Sequence, residues 1–95
     1  MSLIDLQRAT RDAVVDGPGT VDASLRRAVA KGHPPSDLSY LVGKIRDHAY
    51  RVTDGDIDAL RERYTETELF ELIVAAAIGA AEHRLNRALA ALERE

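Results

Sequence analysis

Three histidines are the side chains of this sequence best suited to acid–base chemistry near neutral pH, because an ordinary histidine has a pKa of about 6.5. His33 precedes two prolines in an extended connector, which favours a solvated loop residue. His48 lies near the end of a predicted helix, and His83 follows Glu82 in the last predicted helix. His48 and His83 are therefore the candidate acid–base residues. For both, the simpler interpretation is favoured: a helix histidine that hydrogen-bonds a neighbour.

Thiol and metal chemistry find no support in the sequence. The chain has no cysteine, which excludes thiol catalysis, disulfides and thiolate metal sites. The Asp-x-Asp-x-Asp run at residues 54–58 starts like a calcium loop. However, the sixth and twelfth positions hold Ala59 and Thr65, where such a loop needs Gly and Glu. Glu82-His83 has no second histidine at zinc-hydrolase spacing. We therefore expect no metal and no cofactor.

Composition narrows the class of protein further. Hydrophobic residues make up 45% and charged residues 31% of the 95 residues, a balance typical of a folded globular chain. The net charge of −3 does not favour nucleic acid as a partner. No basic start leads into an apolar signal core, and the longest apolar run, residues 69–81, is shorter than the ~20 residues that span a bilayer. We expect a cytoplasmic protein without a membrane partner.

The elements that must position these residues are all predicted to be helices. Apolar periodicity, glycine and proline predict an all-α chain of about five helices, at residues 3–15, 20–31, 37–51, a short one from 53, and 65–93. Thr20 and Ser36 are the predicted N-caps of the second and third helices, and Thr65 with Glu68 forms the capping box of the last. The chain is predicted to be one domain, with an N-terminal helical arm at 1–35 and a helical core at 36–95.

The last predicted helix is too long and too apolar for a chain of this size. Its run at 69–81 is apolar on nearly every side, and a helix of this kind must be covered on every side. At 1.5 Å per residue the helix would be ~42 Å long, well beyond the radius of a small domain. The sequence therefore predicts a homo-oligomer, with the interface at Leu72, Ile73, Ala76, Gly79, Ala80 and Leu85.

Two consecutive segments carry a family resemblance. They read Val52-Thr53-Asp54-Gly55-Asp56-Ile57-Asp58-Ala59-Leu60-Arg61 and Tyr64-Thr65-Glu66-Thr67-Glu68-Leu69-Phe70-Glu71-Leu72-Ile73-Val74-Ala75-Ala76-Ala77. A short helix with this opening, a turn with an aromatic residue and an acidic-aliphatic helix resemble the carboxymuconolactone decarboxylase and alkylhydroperoxidase D superfamily. Glu68, Glu71, Arg84 and Leu85 lie at matching places. The resemblance covers residues 52–89.

The resemblance implies a helical fold and assembly into trimers or hexamers, but no catalytic residue. Peroxidase members of the superfamily use a Cys-x-x-Cys pair, which this chain lacks. We therefore expect a non-catalytic relative that acts as an assembly, binding or accessory component. Its partner would be its own copies, a cysteine-bearing relative or a small apolar ligand.

Two other functions stay open. One is a small cysteine-free enzyme of decarboxylase or isomerase type with His48 or His83 as its acid or base. The other is a regulatory adaptor whose first helix, at residues 3–15, docks on another protein.

Overall fold

The chain folds as a helical bundle built on one long helix. A computed structural model describes residues 3–94, and in that range it contains five α-helices, two short 3₁₀ helices and no strand. The helices are α1 (Leu3–Val15), α2 (Ala23–Ala30), α3 (Ser39–His48), α4 (Asp54–Asp58) and α5 (Glu66–Glu93), and 3₁₀ turns at Ser36–Leu38 and Ala49–Arg51 flank α3. The prediction of an all-α fold with about five helices and a long last helix is confirmed.

Helix α5 is the element against which the others pack. Helices α1, α2 and α3 all contact it, and the molecule measures 48 × 28 × 19 Å. The side chains of Leu3 and Ile4, predicted on the inward face of α1, lie outside the described residues. The core is aliphatic and unites residues from both halves of the chain: Val21, Val29, Leu38, Leu41, Val42, Ile45, Leu60, Leu69, Leu72, Ala75 and Ala76. One bundle therefore includes the N-terminal helices together with α3 and α5.

Capping residues determine where α4 and α5 begin. The Thr65 hydroxyl accepts from the Glu68 N–H at 3.1 Å, and the Glu68 carboxylate accepts from the Thr65 N–H at 2.9 Å. Thr53 and Asp56 form the same reciprocal pair at the start of α4. Each capping box satisfies two N–H groups that have no partner inside the helix. The predicted starts of these two helices are confirmed.

The predicted caps of the second and third helices are wrong. Helix α2 begins at Ala23 with Asp22 as its N-cap residue, and Thr20 lies in the preceding loop, where its N–H donates to the Glu71 carboxylate. Ser36 opens a 3₁₀ turn after Pro35, and α3 starts only at Ser39. The third helix also ends earlier than predicted, since His48 adopts φ −149° and ψ 60°, which are not helical angles.

A buried arginine and a carboxylate fix the loop between α1 and α2. Arg26 is only 4% exposed and donates to the backbone carbonyls of Val14, Gly17 and Val21. The Glu71 carboxylate on α5 accepts from the Thr20 and Val21 N–H groups at 2.7 and 2.6 Å. These two donors hold the pKa of Glu71 below its ordinary value, because they stabilise the charged form. The loop is therefore held to α5 by charge-assisted hydrogen bonds.

Candidate functional site

Two of the three histidines, His33 and His83, line one polar cleft. The cleft has a volume of about 330 Å³ and lies where the end of α2 and the side of α3 approach the middle of α5. Its charged and histidine side chains are Arg11, Lys31, His33, Arg46, Glu82 and His83. This set is called the polar cleft below. His83 therefore lies in a concave site, and the sequence missed that His33 shares it.

Glycines shape the polar cleft. Gly32 has φ 81°, a conformation that glycine adopts readily, and it turns the chain at the end of α2. A Cβ on Gly32 would lie 2.5 Å from Nη1 of Arg46, so the guanidinium lies directly against this turn. Gly79 brings α5 against the backbone of Ala30 on the opposite side. Because these elements approach closely, Arg11 from α1, Arg46 from α3 and Lys31 from the turn after α2 all line the polar cleft.

The charges in the polar cleft divide into an ion pair and two cations that have no carboxylate partner among the described residues. Arg11 Nε lies 3.3 Å from Oε2 of Glu82, and Arg11 also pairs with Asp12 and Asp16. Among residues 3–94, no carboxylate lies within the 4.0 Å ion-pair distance of Lys31 or Arg46. Two unpaired cations and two histidines give the polar cleft the chemistry of a small-anion site. Lys31 and Arg46 are not predicted from the sequence, because residues far apart in sequence line the polar cleft.

His48 lies outside the polar cleft. It is exposed at the end of α3, and its ring meets the ring of Tyr50 edge-on at 5.9 Å. Tyr50 is itself 80% exposed, and the Arg51 guanidinium lies over its ring. An exposed imidazole with these neighbours has no enclosed space for a substrate. His83 is therefore the better placed of the two candidate acid–base residues.

The acidic run at residues 54–58 makes local ion pairs. Asp56 Oδ2 accepts from Lys44 Nζ at 2.8 Å, which holds the pKa of Asp56 below its ordinary value and raises that of Lys44. Asp58 pairs with Arg61 at 2.7 Å. Within the described range of 3–94, no group of three His, Cys, Asp or Glu residues is arranged to hold a metal ion. In the same range, no helix is long and apolar enough to cross a membrane.

Most of the predicted interface residues belong to the interior of the single chain. Leu72, Ala76, Gly79 and Ala80 are buried, together with Leu69 and Ala75, and these six residues are called the inner face of α5. They are covered by α2, α3 and the turns beside them. The prediction that these four residues contact another copy is therefore corrected. Ile73 and Leu85 are only half-buried.

The opposite side of α5 carries apolar residues without equivalent cover. They are Phe70, Val74, Ala77, Ala81, Leu85, Ala88 and Leu92, called the outer stripe below. Val74 and Leu85 are half-buried and the other five are exposed. Phe70 and Leu92 stand out, with exposed fractions of 68% and 67%. At 3.6 residues per turn all seven lie on one side of the helix.

The spacing of the outer stripe is regular along the whole helix. Phe70, Ala81 and Leu92 are separated by 11 residues each, with the other four between them in steps of three and four. An 11-residue repeat is 3.67 residues per turn, close to the natural α-helical value, so a straight helix keeps such a stripe on one side. The inner face has the same spacing at Leu69 and Ala80, so the repeat alone does not tell the two faces apart.

An apolar groove extends the outer stripe at the start of α5. It lies between α4 and α5, and Ile57, Phe70 and Ile73 supply its apolar walls. Arg61 and Glu66 lie at its edge and form an ion pair with each other. A large exposed aromatic residue beside an apolar groove is typical of a protein-contact surface.

No protein-family model, no curated protein sequence and no solved structure matches this chain. The outer stripe and the polar cleft are therefore the features on which its function is proposed.

Proposed function

We propose that this chain is a non-catalytic helical protein that assembles with copies of itself in the cytosol through the outer stripe of α5. The observation that carries the proposal is an apolar stripe that runs from Phe70 to Leu92, with both of these residues about two-thirds exposed. Soluble monomers rarely leave a long contiguous apolar surface in water.

The position of α5 in the fold supports this proposal. The first part of the helix, up to Ala80, is buried on one face by its own chain, but none of residues 81–94 is buried. A helix of 28 residues is stabilised mainly by the packing of its apolar faces rather than by intrinsic propensity. A second copy would supply packing for the exposed part.

The proposed relationship to the alkylhydroperoxidase D superfamily is consistent with this role. It rests on the resemblance of residues 52–89, in which a short capped helix precedes a long capped helix. Because the chain has no cysteine, it would belong to the members without thiol chemistry. Assembly, with itself or with a relative, is the superfamily property that the outer stripe can provide.

Light scattering after size-exclusion chromatography, over a dilution series, tests the proposal. We expect a mass that is a multiple of 10.4 kDa and that falls only on strong dilution. Ala81→Glu places a charge in the middle of the outer stripe and should shift the chain to the monomer. Tyr50→Ser is the matched control, because it removes an exposed aromatic side chain elsewhere. A monomeric wild type at every concentration would contradict the proposal.

The second candidate function is a small enzyme or binding site for an anion in the polar cleft. It is favoured by the unpaired Lys31 and Arg46 beside His33 and His83, and His83 would be the acid or base. We would titrate the protein with inorganic phosphate and with succinate, while following the histidine ring signals by NMR. Saturable shifts of His33 and His83 that Arg46→Gln abolishes, and that Arg51→Gln retains, would support this function. Shifts that do not saturate would contradict it.

A further inference from the structure

We infer that two copies of this chain pair through α5 in antiparallel orientation, with the two-fold axis at Ala81. This inference rests on the proposed self-association. It adds that the partner is a single second copy and states the register in which the two helices pair. An isologous dimer of this kind uses the same surface of both copies, so its contacts must be complementary to themselves.

The outer stripe has this self-complementarity. Its steps of 4, 3, 4, 4, 3 and 4 residues read the same in both directions from Ala81. Antiparallel pairing about this residue places Phe70 opposite the partner's Leu92, Val74 opposite its Ala88 and Ala77 opposite its Leu85. Ala81 meets its own copy on the axis.

The sizes of the paired residues favour this register. Ala77 and Ala88 each face a larger residue, Leu85 and Val74, so a small side chain lies opposite a large one on both sides of the centre. The two large residues Phe70 and Leu92 face each other only at the ends of the pair, where crossed helices diverge. Close packing needs this alternation, because two small side chains leave a gap and two large ones force the helices apart. The Ala81 pair at the centre lets the two helices approach closely at their crossing point.

Parallel pairing in register satisfies these conditions less well. Each residue of the outer stripe would face its own copy, so the pairs at Ala77, Ala81 and Ala88 would be small against small. The pairs at Phe70, Leu85 and Leu92 would be large against large. A helix pair cannot be close at some of these positions and distant at the neighbouring ones without bending.

Electrostatics at the ends of α5 also favour the antiparallel pair. The negative end of one helix dipole then lies beside the positive end of the other. The exposed Leu92 would enter the groove beside Phe70 and cover it.

Disulfide trapping tests the register, and the absence of native cysteine makes single-cysteine variants unambiguous. Under mild oxidation Ala81→Cys should form a covalent dimer with itself, seen as a reducible shift to dimer size on a gel. A mixture of the Ala77→Cys and Leu85→Cys proteins should form a mixed dimer. Ala77→Cys alone should stay monomeric on the gel, since its sulfurs would be offset by eight residues, about 12 Å along the axis.

The possible outcomes test the antiparallel register separately from self-association. Equal self-crosslinking of Ala77→Cys and Ala81→Cys would indicate a parallel pair and overturn the register. An oligomer by light scattering in which no stripe position crosslinks would place the interface elsewhere, so that the register fails while self-association stands. A monomer by light scattering would end both proposals. Tyr50→Cys, exposed away from α5, is the control for random collision and should not crosslink.

Discussion

The inner face and the outer stripe of α5 are alike in composition but differ in what covers them. Both consist mostly of aliphatic residues and alanines at helical spacing along the same helix, with Gly79 on the inner face and Phe70 on the outer stripe. The inner face is covered by α2 and α3, whereas five of the seven outer-stripe residues are exposed. Hydrophobic spacing thus indicates that a face needs cover but not which chain provides it.

The difference gives each face its own measurable property. The packing of the inner face contributes to the unfolding free energy of the single chain. The outer stripe contributes to the free energy of association. Variants on the two faces should therefore separate in two assays, chemical denaturation and oligomer mass, and the predictions below use this separation.

The largest effect is expected from Leu72→Ala, which opens a cavity in the core. Leu72 is 2% exposed, and truncating a buried leucine costs about 2–5 kcal/mol of unfolding free energy. Phe70→Ala, two residues away on the outer stripe, should change the same quantity by only about 0.5 kcal/mol. Both are measured by urea denaturation in the Ala81→Glu background, so that association does not contribute.

In the association assay the order of the two variants should reverse, with Phe70→Ala having the larger effect and Leu72→Ala the smaller one. In the otherwise wild-type chain, Phe70→Ala should move dissociation to higher protein concentrations. The folded fraction of Leu72→Ala should keep the wild-type mass. A similar loss of unfolding free energy in both variants would mean that Phe70 is covered by its own chain, and the comparison would fail.

Gly79→Ala tests how closely the inner face packs. Alanine is the better helix former by about 1 kcal/mol, so intrinsic propensity favours this substitution. The added Cβ would lie 2.0 Å from the carbonyl oxygen of Ala30, however, so α2 and α5 must move apart. We expect a net loss of about 1–3 kcal/mol, measured by denaturation.

Gly43→Ala is the matched control for Gly79→Ala. Gly43 lies within α3, and no atom lies within 4 Å of the Cβ that alanine would add. This variant should gain up to about 1 kcal/mol from helix propensity alone. If both variants gain unfolding free energy, then the interface between α2 and α5 accommodates the added methyl group, and the expected close packing at Gly79 is wrong.

Much of this fold is predictable from the sequence, because its signals are local. The capping boxes at Thr53 and Thr65 need residues only three positions apart. Glycine and proline end a helix at or next to their own position in the sequence. The predicted cap at Thr20 is wrong because α2 starts three residues later, and the Thr20 segment instead forms a loop bound to Glu71, 51 residues later in the sequence. Ser36 failed because the chain after Pro35 starts with a 3₁₀ turn.

The candidate sites were harder to predict than the fold. The predicted interface included Leu72 and Gly79, because a nearly all-apolar helix does not reveal which face its own chain covers. In the polar cleft, Lys31 and Arg46 come from separate elements, and only the close approach at Gly32 and Gly79 brings those elements together. Such sites depend on tertiary packing that periodicity does not encode.

Glu71→Gln should lower the stability of the folded chain at neutral pH and make that stability less dependent on pH. In the folded chain the pKa of Glu71 lies below its ordinary value of about 4.5, because the Thr20 and Val21 N–H groups donate to it. The contribution of the carboxylate is therefore present above that value and is lost as the pH falls through the folded pKa. Thermal melts of the wild type and the variant between neutral pH and pH 3 should converge in acid.

The control for the acid prediction is Glu62→Gln, an exposed residue before α5. It should leave the difference between neutral and acidic melts unchanged. If Glu71→Gln keeps the full wild-type pH dependence, then Glu71 does not hold the loop against α5. The loop would then contribute less to the cover of α5 than the hydrogen bonds indicate.

A modest effect on stability is expected from Thr65→Ala, which removes the N-cap of α5. Loss of an N-cap costs about 1 kcal/mol, because one N–H group at the helix start loses its partner. Thr65→Ser keeps the hydroxyl and should retain most of the stability. The outer stripe begins at Phe70, more than one turn later, so the association assay should not change. A loss of association in Thr65→Ala, at equal folded fraction, would mean that the first turn of α5 is itself part of the interface.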